Sequence, residues 1–476
     1  MHIINEENQK FLNSYKKVVK KFFDGELVDN ELENYQNQKL NEILEYVYNN
    51  SKYYKNALEA YKNKFGSYTL QTMKELPFTT KETLRDADID ILSQPIHKNA
   101  YYYETTGTTG KATPCPRSMI DVMSSNITIS LMYKQVFESV FGDEKPVVGV
   151  YGPTEIHSFG DTLGNVCHNL DLCAVKAWPY SPIIGFEKAL ELIKKLNIQV
   201  IMCTPGLSMT LLKAAKVHGY DIKKDFNIKM FMLTGEMCTE PMINNIEKLW
   251  GAKVFNFLYG SQEALVMATC NKNGKMNIFP HNYIYEVINY ETEEVIGQEG
   301  EGELVVTMLN PGGKPLIRYR TGDIVKIGIN PNGPIPSPEI EILGRVKDRI
   351  LLGGVEYKAS DIEKAIMTNI ANCLGYQMII DNPDGLDHVE IKIEMLEREY
   401  ENSGILQEIE KRFNEYFNIK NTVSFSDELN PVIYTGSLVS WKAARIIDKR
   451  TKKAAYDDLE RMSAKDIISK EVIKTK

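Results

Sequence analysis

The sequence has no apolar run of about 18 residues, the length that a transmembrane helix needs. Met1 is followed by a polar segment, HIINEENQKFLNSYKK, which has no signal-peptide apolar core. Positive charge is not in excess either: 64 acidic residues outnumber 56 Lys and Arg residues, for a net charge of −8. We therefore expect a cytoplasmic protein that binds neither membranes nor nucleic acid.

Cysteine is sparse and shows no pairing pattern. The seven cysteines are scattered, and no two of them form a CxxC pair. We expect reduced, mostly buried thiols. Cys270 and His281 could help bind a metal across a loop, but no further ligands follow at a recognisable spacing, so we place no metal there.

The composition is that of a folded globular protein, with 43% hydrophobic and 25% charged residues. At 476 residues the chain exceeds the usual size of one hydrophobic core, which predicts two or more domains. The first hundred residues show helical periodicity. From Lys145 onward, short apolar runs such as PVVGVYGPTE, IQVIMCTPG and KMFMLTGE alternate with amphipathic stretches, which predicts βαβ units and a parallel sheet.

Polar or glycine-rich residues follow each of these predicted strands. In open α/β sheets, ligands bind beyond the carboxyl ends of the strands, so these residues are expected to share one site. They are Glu155 and His157, Thr204 and Pro205, Gly235 and Glu236, and the segment from Gly260 to Glu263.

After Cys270 the pattern becomes β-rich, and the proline-rich stretch NPNGPIPSPEIEIL precedes GRVKDRILLGG. We place a domain boundary there. The predicted fold is α/β: a large N-terminal domain, residues 1–343, with parallel sheets and a β-rich subdomain, and a small C-terminal α+β domain, residues 344–476.

The run ETTGTTGKATP contains two glycines and five threonines. Glycine lets the backbone approach a ligand closely, and threonine adds hydroxyl donors, which suits a polyphosphate. The Walker A pattern fails, because Thr105 stands where its first glycine belongs and Ala112 follows Lys111. The dinucleotide pattern GxGxxG fails too. Taken alone, the run is either a phosphate loop or a surface turn.

Six further motifs follow in a set order around this loop. They are LPFTTKETLRD, TGE, YGSQE, RYRTGD, GRVKDRILLGG and WKAARIIDKR. Together they resemble the adenylate-forming superfamily of acyl- and aryl-CoA synthetases, peptide-synthetase adenylation domains and luciferase, in particular its phenylacetate–CoA ligase branch. The likeness extends from about Ser51 to Arg450.

The resemblance implies a role for individual residues. It implies that Glu263 holds Mg²⁺, that Lys442 is the catalytic lysine of adenylation, and that Lys347 lies at the hinge of a mobile C-terminal domain. Gly353 and Gly354 would line the path of the pantetheine thiol. ATP or AMP would be bound by Thr105, Thr106, Gly107, Thr108, Thr109, Gly110, Lys111, Gly235, Glu236, Tyr259, Gly260, Asp323 and Arg345.

The resemblance also implies the reaction: a carboxylic acid (aryl, acyl or amino acid) is activated by ATP to an acyl-AMP. The acyl group then passes to the thiol of coenzyme A or of a phosphopantetheinyl carrier protein. Attack by a carboxylate on the α-phosphate needs a cation and a metal to offset negative charge, which fits Lys442 and Mg²⁺. Relatives in this branch are often homodimers.

The acid pocket is expected around the segment YGPTEIHSFGD. Its candidate residues are Tyr151, Glu155, His157, Asp161, Thr204 and Pro205. The polar members either face solvent and one another or recognise a polar substrate, and Asp161 could meet an ammonium group.

Two other functions are compatible with the same motifs. One is a catalytically retired nucleotide-binding scaffold, which need not keep Glu263, Asp323, Arg345 and Lys442. The other is an acyl-protein synthetase that passes the acyl group to a cysteine of a partner protein.

Overall fold

The structure, a computed structural model, describes residues 5–105, 111–397, 404–434, 438–450 and 455–472. Its internal contacts define two compact units. The first unit comprises Met1–Glu144, Thr154–Asp171 and Leu258–Ile342. The second unit comprises Lys145–Pro153, Leu172–Phe257 and Leu343–Lys476.

The α-helices of the described residues are numbered in chain order. They are α1 (Glu6–Phe23), α2 (Asp29–Asn50), α3 (Lys52–Ala57), α4 (Lys81–Ala87), α5 (Met119–Phe141), α6 (Ser158–Asn169), α7 (Gly185–Lys195), α8 (Pro205–Val217), α9 (Ile222–Asp225), α10 (Glu240–Trp250), α11 (Ala359–Met367), α12 (Ile405–Phe417), α13 (Trp441–Arg445) and α14 (Ala455–Val472).

The β-strands are numbered in the same way. They are β1 (Val147–Val150), β2 (Ala174–Lys176), β3 (Ile198–Cys203), β4 (Met230–Thr234), β5 (Lys253–Ser261), β6 (Leu265–Cys270), β7 (Met276–Ile278), β8 (Tyr283–Ile288), β9 (Val295–Gly297), β10 (Gly300–Met308), β11 (Tyr319–Gly328), β12 (Glu339–Arg345), β13 (Ile350–Leu352), β14 (Val355–Tyr357), β15 (Cys373–Asp381), β16 (His388–Met395), β17 (Lys420–Phe425) and β18 (Ile446–Asp448).

The first unit combines helices α1 to α6 with an antiparallel arrangement of strands. β10 pairs with β8 on one side and with β11 on the other, and β6 pairs with β7. Helix α1 is tied to this framework by the buried hydroxyl of Tyr15, which donates to the Ser124 carbonyl in α5 at 2.6 Å. The N-terminal helices are therefore an integral part of this unit.

The second unit contains two sheets and a short hairpin. β1 pairs in parallel with β2 and β3, and β3 pairs in parallel with β4, so their apolar sequences lie in the core. The order in the other sheet is β17-β16-β15-β18, and β13 and β14 form the hairpin. Asn245 of α10 exchanges two hydrogen bonds with the backbone of Cys373, at 2.8 and 3.0 Å, which fastens the two parts of this unit.

Two predictions from the sequence are confirmed, one on the strand and helix pattern and one on the cysteines. The apolar runs that follow Lys145 form β1, β3 and β4, and the segments between them form helices. The seven cysteines are unpaired, and among them only Cys173 is exposed. No helix among the described residues combines the length and apolarity needed to cross a bilayer. The boundary between residues 343 and 344 stays a prediction, because the second unit joins chain segments from both sides of it.

Gly302 of β10 allows the strand to lie close to β8. A Cβ atom at this position would lie 2.3 Å from the carbonyl oxygen of Ile288. We expect Gly302→Ala to lower the free energy of unfolding by about 1–3 kcal/mol, measured by urea denaturation. Gly328→Ala in β11 is the control, since no atom of the described residues beyond its own chain neighbours lies within 4 Å of its Cβ position. Equal stability of the two variants would contradict this packing.

Candidate active site

A hydrogen bond joins two of the sequence motifs in the first unit. The hydroxyl of Tyr259, in β5, donates to Oδ2 of Asp323, in β11, at 2.8 Å. The backbone N–H of Asp323 donates to Oγ1 of Thr321 at 3.1 Å. Gly260 has no room for a side chain, because a Cβ atom would lie 2.4 Å from the carbonyl oxygen of Leu265. The contacts hold the Asp323 carboxylate in a defined position beside an aromatic ring.

Glu263 carries a buried carboxylate and is only 4% exposed. Its Oε1 lies 3.2 Å from Nζ of Lys81, in α4. Burial acts to raise the pKa of Glu263, but the ammonium groups of Lys81 and Lys314 outweigh it and lower the pKa below its ordinary value. The carboxylate is therefore ionised at neutral pH. Neither lysine was singled out from the sequence, although Lys81 stands inside the quoted motif LPFTTKETLRD.

Hydrogen bonds from the backbone and from side chains close the base of the threonine-glycine run. The N–H of Thr105 donates to the carbonyl of Thr113 at 3.1 Å, and the N–H of Thr113 donates to Oγ1 of Thr105 at 3.0 Å. The buried Lys314 donates from Nζ to the carbonyl of Pro114 at 2.9 Å. Lys111 forms an exposed ion pair with Asp88 at 2.6 Å. The other five predicted members, Thr106, Gly107, Thr108, Thr109 and Gly110, lie outside the described residues.

Part of the predicted acid pocket lies at the start of α6. Glu155 is exposed, whereas Nδ1 of His157 accepts the N–H of Phe159 at 3.1 Å. Burial, assisted by Arg117, lowers the pKa of His157 to about 4, so the ring is neutral at pH 7. Because Nδ1 accepts, the proton lies on Nε2. Oδ2 of Asp161 accepts the hydroxyl of Tyr103 at 3.0 Å.

Gln262 links the start of α6 to the residue beside Glu263. Its side-chain oxygen accepts the hydroxyl of Ser158 at 2.7 Å, and its carbonyl accepts Nη2 of Arg117 at 2.6 Å. The structure thus brings the acid-pocket segment and the YGSQE motif together within the first unit. Arg117 and Gln262 were not singled out from the sequence, although Gln262 stands inside a quoted motif.

In the second unit, Glu236 lies against the start of α8. Its Oε2 accepts the N–H of Gly206 at 3.1 Å, while Oε1 is buried and has no hydrogen-bond partner in the part of the chain that is described. Burial raises the pKa of Glu236 to about 7, although Arg445, Gly206 and Thr204 act in the opposite direction. Glu236 therefore titrates near neutral pH.

The other predicted residues of the second unit occupy several places. Tyr151 lies in the core, where its hydroxyl donates to the carbonyl of Ala189 at 3.0 Å. Thr204 caps α8 by accepting the N–H of Leu207 at 3.2 Å, and Pro205 is the first residue of that helix. Gly235 follows β4 directly and precedes Glu236.

The residues implied in adenylation and movement lie toward the end of the chain. Lys442 is in α13, and the exposed Arg345 ends β12. Nζ of Lys347 lies 3.3 Å from Oε1 of Glu460. Gly353 and Gly354 form the turn between β13 and β14, where the N–H of Gly353 donates to Oδ2 of Asp387 at 2.8 Å.

Comparison of the sequence with models of known protein families identifies the family of this chain. A model of AMP-binding enzymes matches residues 67–310, just over half of the chain. The chain belongs to the AMP-binding enzyme family. A second model, of the AMP-binding enzyme C-terminal domain, matches residues 354–450. In this AMP-binding enzyme, α14 lies beyond both matched regions.

Relatives of this AMP-binding enzyme include two phenylacetate–coenzyme A ligases. That of Thermus thermophilus is 24% identical over 76% of this chain and 81% of its own length. That of Aromatoleum evansii is 26% identical over 77% of this chain and 82% of its own length. A solved structure of 2-hydroxyisobutyryl-CoA ligase in the postadenylation state, in complex with 2-HIB-AMP, superposes with a TM-score of 0.71, at 16% identity and covering 91% of both chains.

These comparisons confirm the family, the fold class and the enzyme class that the sequence motifs predicted. The AMP-binding enzyme shares its enzyme class with the adenylate-forming CoA ligases, to which the relatives and the solved structure named above belong. The roles of its individual site residues stay predictions.

The raised pKa of Glu236 predicts a dependence of stability on pH. Its ordinary pKa is 4.5 and its pKa in the folded protein is about 7, so folding favours the protonated form. The folded state therefore loses stability as the pH rises from about 4.5 toward 7, by up to about 1.4 kcal/mol per pKa unit. Glu236→Gln removes this loss. The melting temperature of the variant minus that of the wild type should therefore increase as the pH rises from 5 to 7.

The control for this measurement is Glu240→Gln, which changes an exposed glutamate at the start of α10. Its melting temperature should differ from that of the wild type by a nearly constant amount over the same pH range. A pH-independent difference for Glu236→Gln as well would show that the Glu236 carboxyl titrates normally.

Proposed function

We propose that the protein activates a small carboxylic acid with ATP to an acyl-AMP, releases pyrophosphate and transfers the acyl group to the thiol of coenzyme A. The observation that supports this most directly is the 2.8 Å hydrogen bond between Tyr259 and Asp323, which joins two motifs that the family uses for adenosine. The sequence also keeps Glu263, Arg345 and Lys442 in their motifs, so the chain retains the residue types that activation needs.

In this proposal Asp323 binds the ribose. An ionised carboxylate only accepts hydrogen bonds, which suits the two hydroxyl groups of a diol. The hydrogen bond from Tyr259 occupies Oδ2 and orients the carboxylate before the nucleotide arrives. The tyrosine ring would lie beside the adenine.

The phosphates of ATP need positive charge to offset their own negative charge. Glu263 fits a Mg²⁺ ion, since its buried carboxylate has a lowered pKa and is therefore ionised. Mg²⁺ would offset charge on the phosphates as the acid attacks. Lys442 would stabilise the negative charge that develops at the α-phosphate, and the segment from Thr105 to Lys111 would hold the pyrophosphate.

The polar groups of the acid-pocket segment favour an uncharged acyl chain as substrate. Asp161 accepts a hydrogen bond from Tyr103, and His157 is neutral because burial lowers its pKa to about 4. The polar side chains of this segment thus find hydrogen-bond partners within the protein, which favours this arrangement over binding of a substrate ammonium group. A hydroxyl or carbonyl on the acid could accept the Nε2 proton of His157.

We place the reaction in the cytoplasm, where ATP and coenzyme A are both available. A phosphopantetheinyl carrier protein is the alternative acceptor, because it presents the same thiol. A homodimer is proposed by analogy with the branch, and light scattering of the purified protein would show it.

The proposed function is tested by product analysis. The purified protein is incubated with Mg²⁺, ATP, coenzyme A and a panel of aryl, fatty, hydroxy and amino acids. We expect AMP and one class of acyl-CoA, detected together by mass spectrometry, and neither product with Lys442→Ala. Failure to form AMP with any acid and any of three acceptors (coenzyme A, a carrier protein or a partner protein) would favour the retired scaffold.

Asp323 should affect the KM for ATP and leave the KM for the acid nearly unchanged. We expect Asp323→Ala to raise the KM for ATP by about 10- to 100-fold, because hydrogen bonds to a charged group are lost. The KM for the acid should change less than about twofold. Asp90→Ala is the control, because it removes an exposed aspartate that pairs with Lys52 at 2.7 Å. An unchanged KM for ATP in Asp323→Ala would remove Asp323 from the ribose site.

A further inference from the structure

The last helix, α14, contacts the segment that carries Lys442. Helix α14 spans Ala455–Val472, whereas the match to the family's C-terminal model ends at residue 450. The contacts come from two neighbouring residues, Glu460 and Arg461. This helix is therefore a part of the chain for which the family match assigns no role.

Glu460 is almost fully buried, with 3% of its surface exposed, and both of its carboxylate oxygens are in use. Oε2 accepts the backbone N–H of Ser440 at 2.8 Å, immediately before α13 begins. Oε1 lies 3.3 Å from Nζ of Lys347. One carboxylate thus connects the residue predicted at the hinge with the start of the helix that carries Lys442.

Arg461 holds the other end of α13. Its Nε donates to the carbonyl of Ala443 at 2.7 Å, and its Nη2 donates to the carbonyl of Ile446. Together with the Glu460–Ser440 contact, these bonds fix α13 before its start and at its end. Five residues are too few to form a stable helix alone, so the placement of α13 depends on such contacts.

The charges around α14 match this arrangement. Asp457 is one helical turn before Glu460, and burial raises its pKa while the ammonium group of Lys442 acts in the opposite direction. Lys347 and Lys442 therefore both lie in the electrostatic field of the same acidic helix face. That face is defined by Asp457 and Glu460.

We propose that Glu460 is a positioning residue that couples the hinge residue Lys347 to the helix carrying Lys442. The two then keep one relative placement during acyl-AMP formation. This inference rests on the proposed function, since it assigns Glu460 to the adenylation half of that reaction. A buried carboxylate that contacts both segments suits this role, because removal of the whole side chain takes an acceptor from both the Lys347 ammonium and the Ser440 N–H.

The first test measures acyl-AMP formation in a single turnover with the full-length protein. We expect Glu460→Ala to lower the rate of this step by about tenfold or more, with the KM for ATP and for the acid changed less than about twofold. Glu460→Gln should lose less, because its amide oxygen can still accept the N–H of Ser440. If the substitutions only destabilised the protein, the fraction of active protein would fall. The rates of Glu460→Ala and Glu460→Gln would then not follow whether the Ser440 hydrogen bond is kept.

The matched control is Glu415→Ala, which breaks an exposed pair with Lys411 in α12. It should react at the wild-type rate. The double variant with Lys347→Met and Glu460→Gln should be no slower than the slower of the two single variants, since both substitutions break the same ion pair. Wild-type rates in Glu460→Ala, or fully additive losses in the double variant, would overturn the proposal.

The second test does not depend on activity. Hydrogen exchange followed by mass spectrometry reports the backbone amides of residues 438–450. We expect faster exchange there in Glu460→Ala and Glu460→Gln than in the wild type and Glu415→Ala, with unchanged exchange in β10. Equal exchange in all four proteins would exclude the positioning role. If the wild type forms no acyl-AMP with any acid while exchange changes as expected, the proposed function fails and the positioning contact stands.

Discussion

The buried carboxylate of Glu263 is the constraint around which the first unit is organised. A negative charge in the interior is costly unless cations and donors compensate it. Lys81 lies 3.2 Å away, and Lys314 adds a second positive charge that also holds the base of the threonine-glycine run through Pro114. The arrangement keeps one carboxylate ionised at the point where the proposed reaction needs a metal.

For Glu236 in the second unit, the effect of burial on the pKa outweighs that of the neighbouring cation, the opposite of Glu263. Its Oε1 is buried like that of Glu263, and it also has a cation, Arg445, acting on it. Here burial prevails and raises the pKa to about 7, whereas two lysines lower the pKa of Glu263. The two glutamates follow similar strand ends in the sequence, yet their charge states at neutral pH differ because their neighbours differ.

Patterns within a short stretch of sequence predicted much of the fold. Apolar runs closed by glycine or proline predicted β3 and β4, and amphipathic spacing predicted the helices between them. The strands β17 and β18 were not predicted, because KNTVSF is largely polar and IID is very short. The site motifs were predicted through family resemblance. In the structure, a hydrogen bond between Tyr259 and Asp323 joins two of these motifs, YGSQE and RYRTGD. The partners Lys81, Lys314 and Glu460 were missed, since a single charged residue has no pattern and its partner lies far along the chain.

The central claim is that this protein forms an acyl-AMP reversibly, and that the reaction requires Glu263. Exchange of radiolabelled pyrophosphate into ATP measures this directly, without coenzyme A. The account predicts exchange that requires both Mg²⁺ and a suitable acid in the wild type, and exchange reduced at least tenfold in Glu263→Gln, where the ionised carboxylate is lost. Absence of exchange with every acid of a broad panel, or full exchange in Glu263→Gln, would contradict it.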